Sequence, residues 1–259
     1  MPAPHTSRAI ILRARAYGEA DKIVTFLSEE AGKLTGIAKG AKNSRRRFAN
    51  CLDPFTLVRL HFRVRTGASL VFMESCDLLE PVGTLVEPAK FAYGSYLVEL
   101  VDQLTAEGQP LPELYQLLME ALDLLRHGPA TAAFLRAFEL HLLHLAGYEP
   151  QLQDCGRCHS ALETDAAVFV DAVHGVVVCR SCREGHEPLI PMTASTRQAL
   201  AALQGVSLAA ARLQRLDAAE ASEAAQVMTR LMGLHLPRPL RSVKLIAALR
   251  FPRSTAADG

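Results

Sequence analysis

The sequence predicts an α+β protein with two parts, a small N-terminal β-barrel and a longer α-helical domain that a cysteine-rich insert interrupts. Three observations predict this class. Short strand-like segments fill the first 80 residues, apolar stripes with helical spacing follow residue 81, and two Cys-x-x-Cys pairs lie between about residues 150 and 190. We therefore expect one domain over residues 1–80 and a second over residues 81–259, with the insert at about residues 150–190.

The sequence of the first domain predicts five strands. Segments rich in Val, Ile, Leu, Phe and Thr, divided by Gly or Pro, cover residues 8–16, 22–28, 33–39, 55–64 and 68–78. In the fourth segment Val58, Leu60 and Phe62 alternate with polar residues, as in a strand with one buried face. Five strands in so short a stretch suit a small β-barrel, and an OB-type barrel, which leaves a face for oligonucleotides, is one candidate.

The sequence of the second domain predicts mainly helices. The three predicted apolar stripes run through Tyr93, Leu97, Leu100 and Leu104, then from Leu111 to Leu125, and then through Phe134, Phe138, Leu142 and Leu145. Further helices are expected at residues 194–204 and 218–234 and after Ser242, with Asp217 as an N-cap and Glu220 as its capping-box partner. A helical bundle is the simplest way to bury these stripes.

Charge is distributed unevenly along the chain. The formal net charge is +1, but the first 80 residues carry 13 basic and 8 acidic side chains. A basic first third predicts contact with a polyanion. Lys33 to Phe48 holds six basic residues and no acid, which predicts a basic loop that follows phosphates, with Phe48 stacking on a base. The predicted nucleic-acid contacts are Lys33, Lys39, Lys42, Arg45, Arg46, Arg47 and Phe48. The alternative is a solvated loop whose Phe48 plugs the barrel end.

Four of the six cysteines predict a metal site. Cys155, Cys158, Cys179 and Cys182 have the spacing C-x2-C-x20-C-x2-C, which brings four thiolates to the corners of a tetrahedron around Zn²⁺. Such a site is coordinatively closed, so we expect a structural metal. Cys51 and Cys76 lie apart from this set and are expected to be buried apolar residues.

No membrane span and no enzyme are expected. The mean hydropathy is +0.12, yet no uncharged apolar run reaches about 18 residues. The N-terminus lacks the apolar stretch of a signal peptide, so we expect a cytoplasmic protein. The sequence also lacks a nucleophile elbow, a dinucleotide fingerprint and clustered aspartates for a two-metal nuclease.

The order of motifs resembles the RecO family of bacterial DNA repair and recombination proteins over nearly the whole chain. The likeness rests on Gly18-Glu-Ala-Asp21-Lys-Ile-Val-Thr25, Gly32-Lys33, Ala38-Lys39-Gly40-Ala-Lys42, the late four-cysteine insert and Arg238-Pro-Leu-Arg241-Ser242. It implies an OB-fold followed by a helical domain with a zinc module. DNA-binding positions of the family transfer to Lys33, Lys39 and Lys42 and, more loosely, to Arg45 to Arg47.

The resemblance also implies a non-catalytic function and a set of partners. Members bind single- and double-stranded DNA, anneal complementary strands and, with RecR, help RecA replace the single-stranded-DNA-binding protein SSB. The helical domain is where the family docks the acidic, apolar C-terminal tail of SSB, but no motif in this sequence matches that contact. Binding and annealing of DNA imply association with the nucleoid.

Two alternatives from other classes stay open. One is a zinc-ribbon enzyme that modifies nucleic acid, for which a catalytic cluster beyond the four cysteines is the discriminating feature. The other is a pure protein-interaction scaffold with an incidental basic loop, which DNA binding at two salt concentrations discriminates.

Overall fold

The computed structural model describes residues 4–64, 67, 69–80, 87–183 and 188–250, with the backbone alone at 249 and 250. The strands are β1 (Pro4–Tyr17), β2 (Asp21–Ser28), β3 (Gly32–Ala38), β4 (Leu57–Arg63), β5 (Val71–Glu80), β6 (Gln151–Cys155), β7 (Val168–Asp171), β8 (Val176–Val178) and β9 (Ile190–Met192). The helices are α1 (Pro88–Leu104), α2 (Pro112–His127), α3 (Ala132–Leu145), α4 (Ala194–Gln204), α5 (Leu208–Leu213), α6 (Ala218–Gly233) and α7 (Ser242–Arg250).

The first five strands form a closed barrel in the order β1-β2-β3-β5-β4. Strand β1 pairs with both β4 and β2, and its register shifts between Ile11 and Arg13, where a bulge bends the long strand from one partner to the other. Strands β3 and β5 pair in parallel, which closes the sheet. Phe26 and Phe62 meet edge to face inside, with ring centroids 5.6 Å apart. The five-stranded OB-type barrel predicted from sequence is confirmed.

The two isolated cysteines differ in part from the prediction. Cys51 and Cys76 are buried, as expected, but they are joined in a disulfide. The chain before β4 folds back over β5, so the backbone N–H of Cys76 donates to the carbonyl oxygen of Arg47 at 2.8 Å. This fold-back brings together two cysteines that stand 25 residues apart, a separation that gives no sequence signal.

Contacts divide the chain into two compact units at different places from the predicted domain boundary. The first unit runs to His127 and resumes at Leu240, and the second is Gly128–Pro239. Helices α1, α2 and α7 therefore belong with the barrel. Helix α7 packs on α1, where the Glu99 carboxylate accepts from the backbone N–H groups of Arg241 and Ser242 at 2.9 and 2.8 Å. This cap gives the closing Arg238–Ser242 run a structural role.

The second unit packs helices around α3 and carries a four-stranded sheet in the order β6-β8-β7-β9. The β7–β8 hairpin is antiparallel, and helix α6 begins with the predicted capping box of Asp217 and Glu220. The sequence analysis did not predict the short elements α5, β6 and β9, because three to six residues are too few to show a period. None of the described helices is both long and apolar enough to cross a membrane.

Candidate nucleic-acid interface and metal centre

The segment that we call the basic loop, residues 39–50, leaves the barrel at the end of β3. It turns at Gly40, whose φ of +68° lies in the left-handed region that glycine adopts without strain. The Gly40 backbone N–H donates to the Asp21 carboxylate at 2.8 Å. A short 3-10 turn, Ala41–Asn43, follows. The loop therefore starts from a fixed point on the β1–β2 turn.

Lys42 holds the loop to the same turn by two further bonds. Its backbone N–H donates to the carbonyl oxygen of Ala20 at 2.9 Å, and its Nζ donates to the carbonyl oxygen of Gly18 at 2.8 Å. The Gly18–Asp21 run, which is part of the sequence resemblance, thus accepts the hydrogen bonds that hold the basic loop against the barrel.

The second half of the loop is organised by Ser44 and Arg47. The Ser44 hydroxyl oxygen accepts from the backbone N–H groups of Arg47 and Phe48 at 3.1 and 3.2 Å. The Arg47 guanidinium donates to the carbonyl oxygen of Lys39 at 2.8 Å and lies 5.3 Å from the centre of the Phe48 ring. Arg47 consequently ties the two ends of the cationic run together.

The loop presents its charges to solvent. The exposed cations are Lys39, Lys42, Arg45, Arg46 and Arg47. Within the part of the chain that the structure describes, none of these five forms an ion pair with a carboxylate. A cleft of about 420 Å³ lies beside the loop, and its polar lining includes Lys22, Lys42, Arg45 and Asn50. Asp53 is the acidic residue in this lining. This surface suits a polyanion.

Two of the seven predicted contacts lie inside the protein. Lys33 belongs to β3 and not to the loop, and it is buried, with its Nζ donating to the carbonyl oxygen of Asp102 at 2.5 Å and 3.8 Å from the Asp102 carboxylate. Phe48 is 4% exposed and belongs to the barrel core. A base-stacking role for Phe48 and a phosphate contact for Lys33 are therefore wrong, and the plug at the barrel end is what Phe48 forms. The other five positions stay predictions.

Sequence reasoning missed Asp21, the acceptor that fixes the start of the basic loop. An acid beside a glycine-containing turn is an available signal, because Asp side chains commonly bind nearby backbone N–H groups. The signal does not show which distant N–H the carboxylate accepts.

The four cysteines of the second unit converge. Cys155 ends β6 and Cys179 follows β8, so the parallel β6–β8 pair places the two Cys-x-x-Cys turns side by side. All four sulfurs lie within 4.8 Å of one another, and those of Cys158 and Cys179 are 3.9 Å apart. A tetrahedron with Zn–S bonds of about 2.3 Å has sulfur–sulfur edges of about 3.8 Å. The cluster can therefore bind a metal ion, and its spacing fits zinc.

Backbone geometry shapes the first turn around this cluster. A Cβ on Gly156 would lie 2.5 Å from the Cβ of Val176, so only glycine fits at this position beside β8. Gly156 N–H donates to the carbonyl oxygen of Val177 at 2.8 Å. His159, with a φ of +57°, closes the turn by donating its N–H to the carbonyl oxygen of Cys155 at 2.9 Å.

The electrostatics of the cluster favour a bound cation. Burial raises the pKa of Cys155, but backbone N–H groups of Cys158, Cys179 and Arg157 outweigh it and lower the pKa to about 6. Hydrogen bonding to Cys179 and Cys158 raises the pKa of Cys182 to about 12. Four sulfurs at this spacing do not all ionise unaided, whereas a divalent cation supplies the missing countercharge.

Asp171 binds Arg157, a residue of the first Cys-x-x-Cys turn. Its carboxylate accepts from the Arg157 guanidinium at 3.2 Å and from the backbone N–H of His174 at 3.2 Å, and it lies 2.9 Å from Nδ1 of His174. Burial alone raises the pKa of Asp171, but the bonds from His174 and Arg157 outweigh that effect and lower the pKa. Arg157 is thereby held between the first pair of cysteines.

Fold and sites together define a class of protein: an OB-barrel protein of the kind that handles nucleic acid, extended by a helical domain with a metal-binding cysteine cluster. The N-terminal family model of recombination protein O matches residues 1–82, and its C-terminal model matches residues 86–244. The chain belongs to the RecO family of DNA repair proteins, and its role lies in DNA repair and recombination.

Individual relatives agree with the family models. The chain is 39% identical over 186 residues, 71% of its length, to the DNA repair protein RecO of Anaeromyxobacter sp. (strain K), which is covered to 73%. It is 37% identical over 184 residues to the protein of that name from Pelobacter propionicus, covering 71% and 73% of the two chains. To that of Geobacter sulfurreducens it is 35% identical over 187 residues, covering 72% and 76%.

Proposed function

We propose that this protein is a recombination mediator that binds single- and double-stranded DNA through its basic loop and anneals complementary strands. The observation that carries the proposal is the exposure of Lys39, Lys42 and Arg45 to Arg47 on a loop that internal hydrogen bonds hold in place. Cations on a fixed loop lose less conformational freedom on binding than cations on a mobile one.

Charge neutralisation accounts for annealing. Two complementary strands repel each other through their phosphates, and a protein that neutralises phosphates on each strand lowers that repulsion. Base pairing then supplies the favourable free energy. The protein needs no covalent step for this, so we propose that it is not an enzyme.

The proposed partners come from the family. We propose that the protein, together with RecR, helps RecA replace SSB on single-stranded DNA, and that the helical domain receives the C-terminal tail of SSB. It would then work on nucleoid DNA in the cytoplasm.

The proposed metal is Zn²⁺, held by Cys155, Cys158, Cys179 and Cys182. Four thiolates fill the tetrahedral positions that zinc prefers and leave none open for water. We therefore assign the metal a structural role, which is to join the two Cys-x-x-Cys turns and fix the small sheet that carries them.

Annealing of SSB-coated complementary strands, with and without the protein and RecR, tests the function. The double variant Arg45→Ala/Arg46→Ala should slow annealing by about tenfold or more, since each lost phosphate contact weakens binding at physiological salt. Arg215→Ala/Arg230→Ala removes the same charge from exposed positions of the second unit and should anneal as the wild type does. If the wild-type protein leaves the annealing rate of SSB-coated strands unchanged, the mediator function is wrong.

A further inference from the structure

An exposed aromatic side chain lies at the end of the β1–β2 hairpin. Tyr17 is 56% exposed. Among the described residues of the barrel unit, the other aromatic that is exposed to a similar degree is Phe91, which packs edge to face on Phe55 with centroids 5.5 Å apart. Because Phe48 is buried, Tyr17 is the aromatic side chain at the basic loop that has an open ring face to offer a ligand.

Strand alternation places Tyr17 on the outer surface of the barrel. Ala14 and its partner Val24 face the core, so Arg13, Arg15 and Tyr17 point to the opposite side of β1. Arg15 is exposed as well. An aromatic and a cation therefore stand two residues apart on one outward face.

The barrel's own helical segment covers the other part of this face. Arg13 Nε lies 3.3 Å from the Asp102 carboxylate at the end of α1. Thr35 Oγ1 donates to the Glu107 carboxylate at 2.5 Å and lies 3.3 Å from Thr25 Oγ1. The β2–β3 face is the usual ligand face of OB barrels, so here the open part of that face is its hairpin end.

The hairpin end also adjoins the basic loop. Asp21, the strand partner of Tyr17, accepts from the N–H of Gly40, and Lys42 Nζ donates to the carbonyl oxygen of Gly18, the residue after Tyr17. The exposed Lys39 directly precedes Gly40. Tyr17 is thus flanked by Arg15 on its own strand and by Lys39 on the loop.

We propose that Tyr17 stacks on an unpaired base of single-stranded DNA while Arg15 and Lys39 contact the neighbouring phosphates. An aromatic between cations is the arrangement by which proteins hold single strands without reading sequence. In duplex DNA the base faces are already covered by their neighbours, so Tyr17 gives preference for single strands. This inference rests on the proposed function and deepens it, because it names the site for the unpaired strand.

The test compares single-stranded and duplex binding by fluorescence anisotropy. Tyr17→Leu should weaken binding of an oligo-dT by about 5- to 150-fold, the range for losing one base–aromatic stack, and leave duplex affinity within about twofold. Its slope of log Kd against log salt should equal that of the wild type, because no charge is lost. Arg15→Ala and Lys39→Ala should each lower that slope by about 0.7.

A spectroscopic readout separates stacking from a general loss of binding. A 2-aminopurine base in a saturating, bound oligo-dT should be quenched by the wild type and by Tyr17→Phe, but not by Tyr17→Leu. Tyr148→Leu, which alters a 47% exposed tyrosine of the second unit, should behave as the wild type in the anisotropy and quenching assays.

The outcomes distinguish the two proposals. Equal single-strand affinity and equal quenching in Tyr17→Leu and wild type overturn the stacking role and leave the proposed function intact. An equal loss of duplex and single-strand affinity in Tyr17→Leu also overturns it. If the wild type binds no single-stranded DNA, both proposals are wrong.

Discussion

The basic loop and the cysteine cluster are both irregular segments attached to a small sheet, and they direct their side chains in opposite ways. In the loop, Gly40, Lys42 and Arg47 use hydrogen bonds to the barrel or within the loop, and the charges face solvent. In the cluster, the backbone of Gly156 and His159 shapes the first Cys-x-x-Cys turn, and the four sulfurs of both turns converge within 4.8 Å of one another. The exposed cations of the loop suit a large ligand that binds on the surface. The four converging sulfurs suit a small ion that the protein encloses.

The largest expected effect concerns the convergent site. Cys155→Ser should release the metal and lower the free energy of unfolding of the second unit by more than about 4 kcal/mol, as losses of a structural metal do. The DNA affinity of the protein that stays folded should not change, because the loop belongs to the other unit. Metal content, thermal melting and DNA titration measure these three quantities.

Ser160→Ala is the matched control for that variant, because Ser160 is exposed and lies two residues from Cys158. It should keep both metal and stability. A folded, metal-free Cys155→Ser protein that melts like the wild type yet has lost DNA binding would reverse the division of roles between the two regions.

A second comparison contrasts the paired cysteines of the barrel with the convergent ones. Replacing both members of the pair, Cys51→Ala/Cys76→Ala, should cost about 3 kcal/mol of unfolding free energy, since the bond closes a loop of 25 residues. Metal content should not change. Urea unfolding with and without a phosphine reductant checks this: the reductant should weaken the wild type and leave the variant unaffected. Coincident wild-type curves with and without reductant would contradict it.

The third prediction, with a smaller effect on stability, compares a buried and an exposed member of the predicted cationic contacts, Lys33 and Arg45. Lys33→Met should lower stability by about 1–3 kcal/mol, because it removes a charged donor from the carbonyl oxygen of Asp102, and leave the salt slope of DNA binding unchanged. Arg45→Ala should do the reverse, with unchanged melting and a slope lowered by about 0.7. Equal salt slopes in the two variants would show that exposure does not decide which cations bind DNA.

The smallest effect is a pH dependence in the second unit. Burial lowers the pKa of His235, which stacks on Tyr148 with ring centroids 3.7 Å apart. The imidazole of His235 therefore takes up a proton more readily in the unfolded chain than in the folded one. Its contribution to stability is complete above its ordinary pKa of about 6.5 and is lost as the pH falls below that value. His235→Phe keeps a stacked ring and should melt with a weaker pH dependence between about pH 7.5 and about pH 5.5. An unchanged dependence would exclude His235 as its source.

The sequence was most informative where chemistry depends on spacing. The four-cysteine cluster follows from C-x2-C-x20-C-x2-C, and the five strands follow from alternation at positions such as Val58 and Leu60. Both patterns are local, so a linear reading captures them. The Asp217–Glu220 capping box is confirmed for the same reason.

The sequence was least informative about which side chains of a charged run face outward. Lys33 and Arg45 belong to one basic stretch, but Lys33 meets Asp102, which lies 69 residues further along the chain. The Cys51–Cys76 pair and the Asp21–Gly40 contact likewise join distant parts of the chain. Tertiary packing decides these contacts, and residue type alone does not determine them.

The salt dependence of single-strand binding tests the central claim most directly. For the triple variant Arg45→Ala/Arg46→Ala/Arg47→Ala, the slope of log Kd against log salt should fall by about 2, which corresponds to three lost phosphate contacts at about 0.7 each. Cys155→Ser, measured while folded, should keep the wild-type slope. An unchanged slope in the triple variant would place the DNA-binding surface elsewhere on the protein and contradict the account.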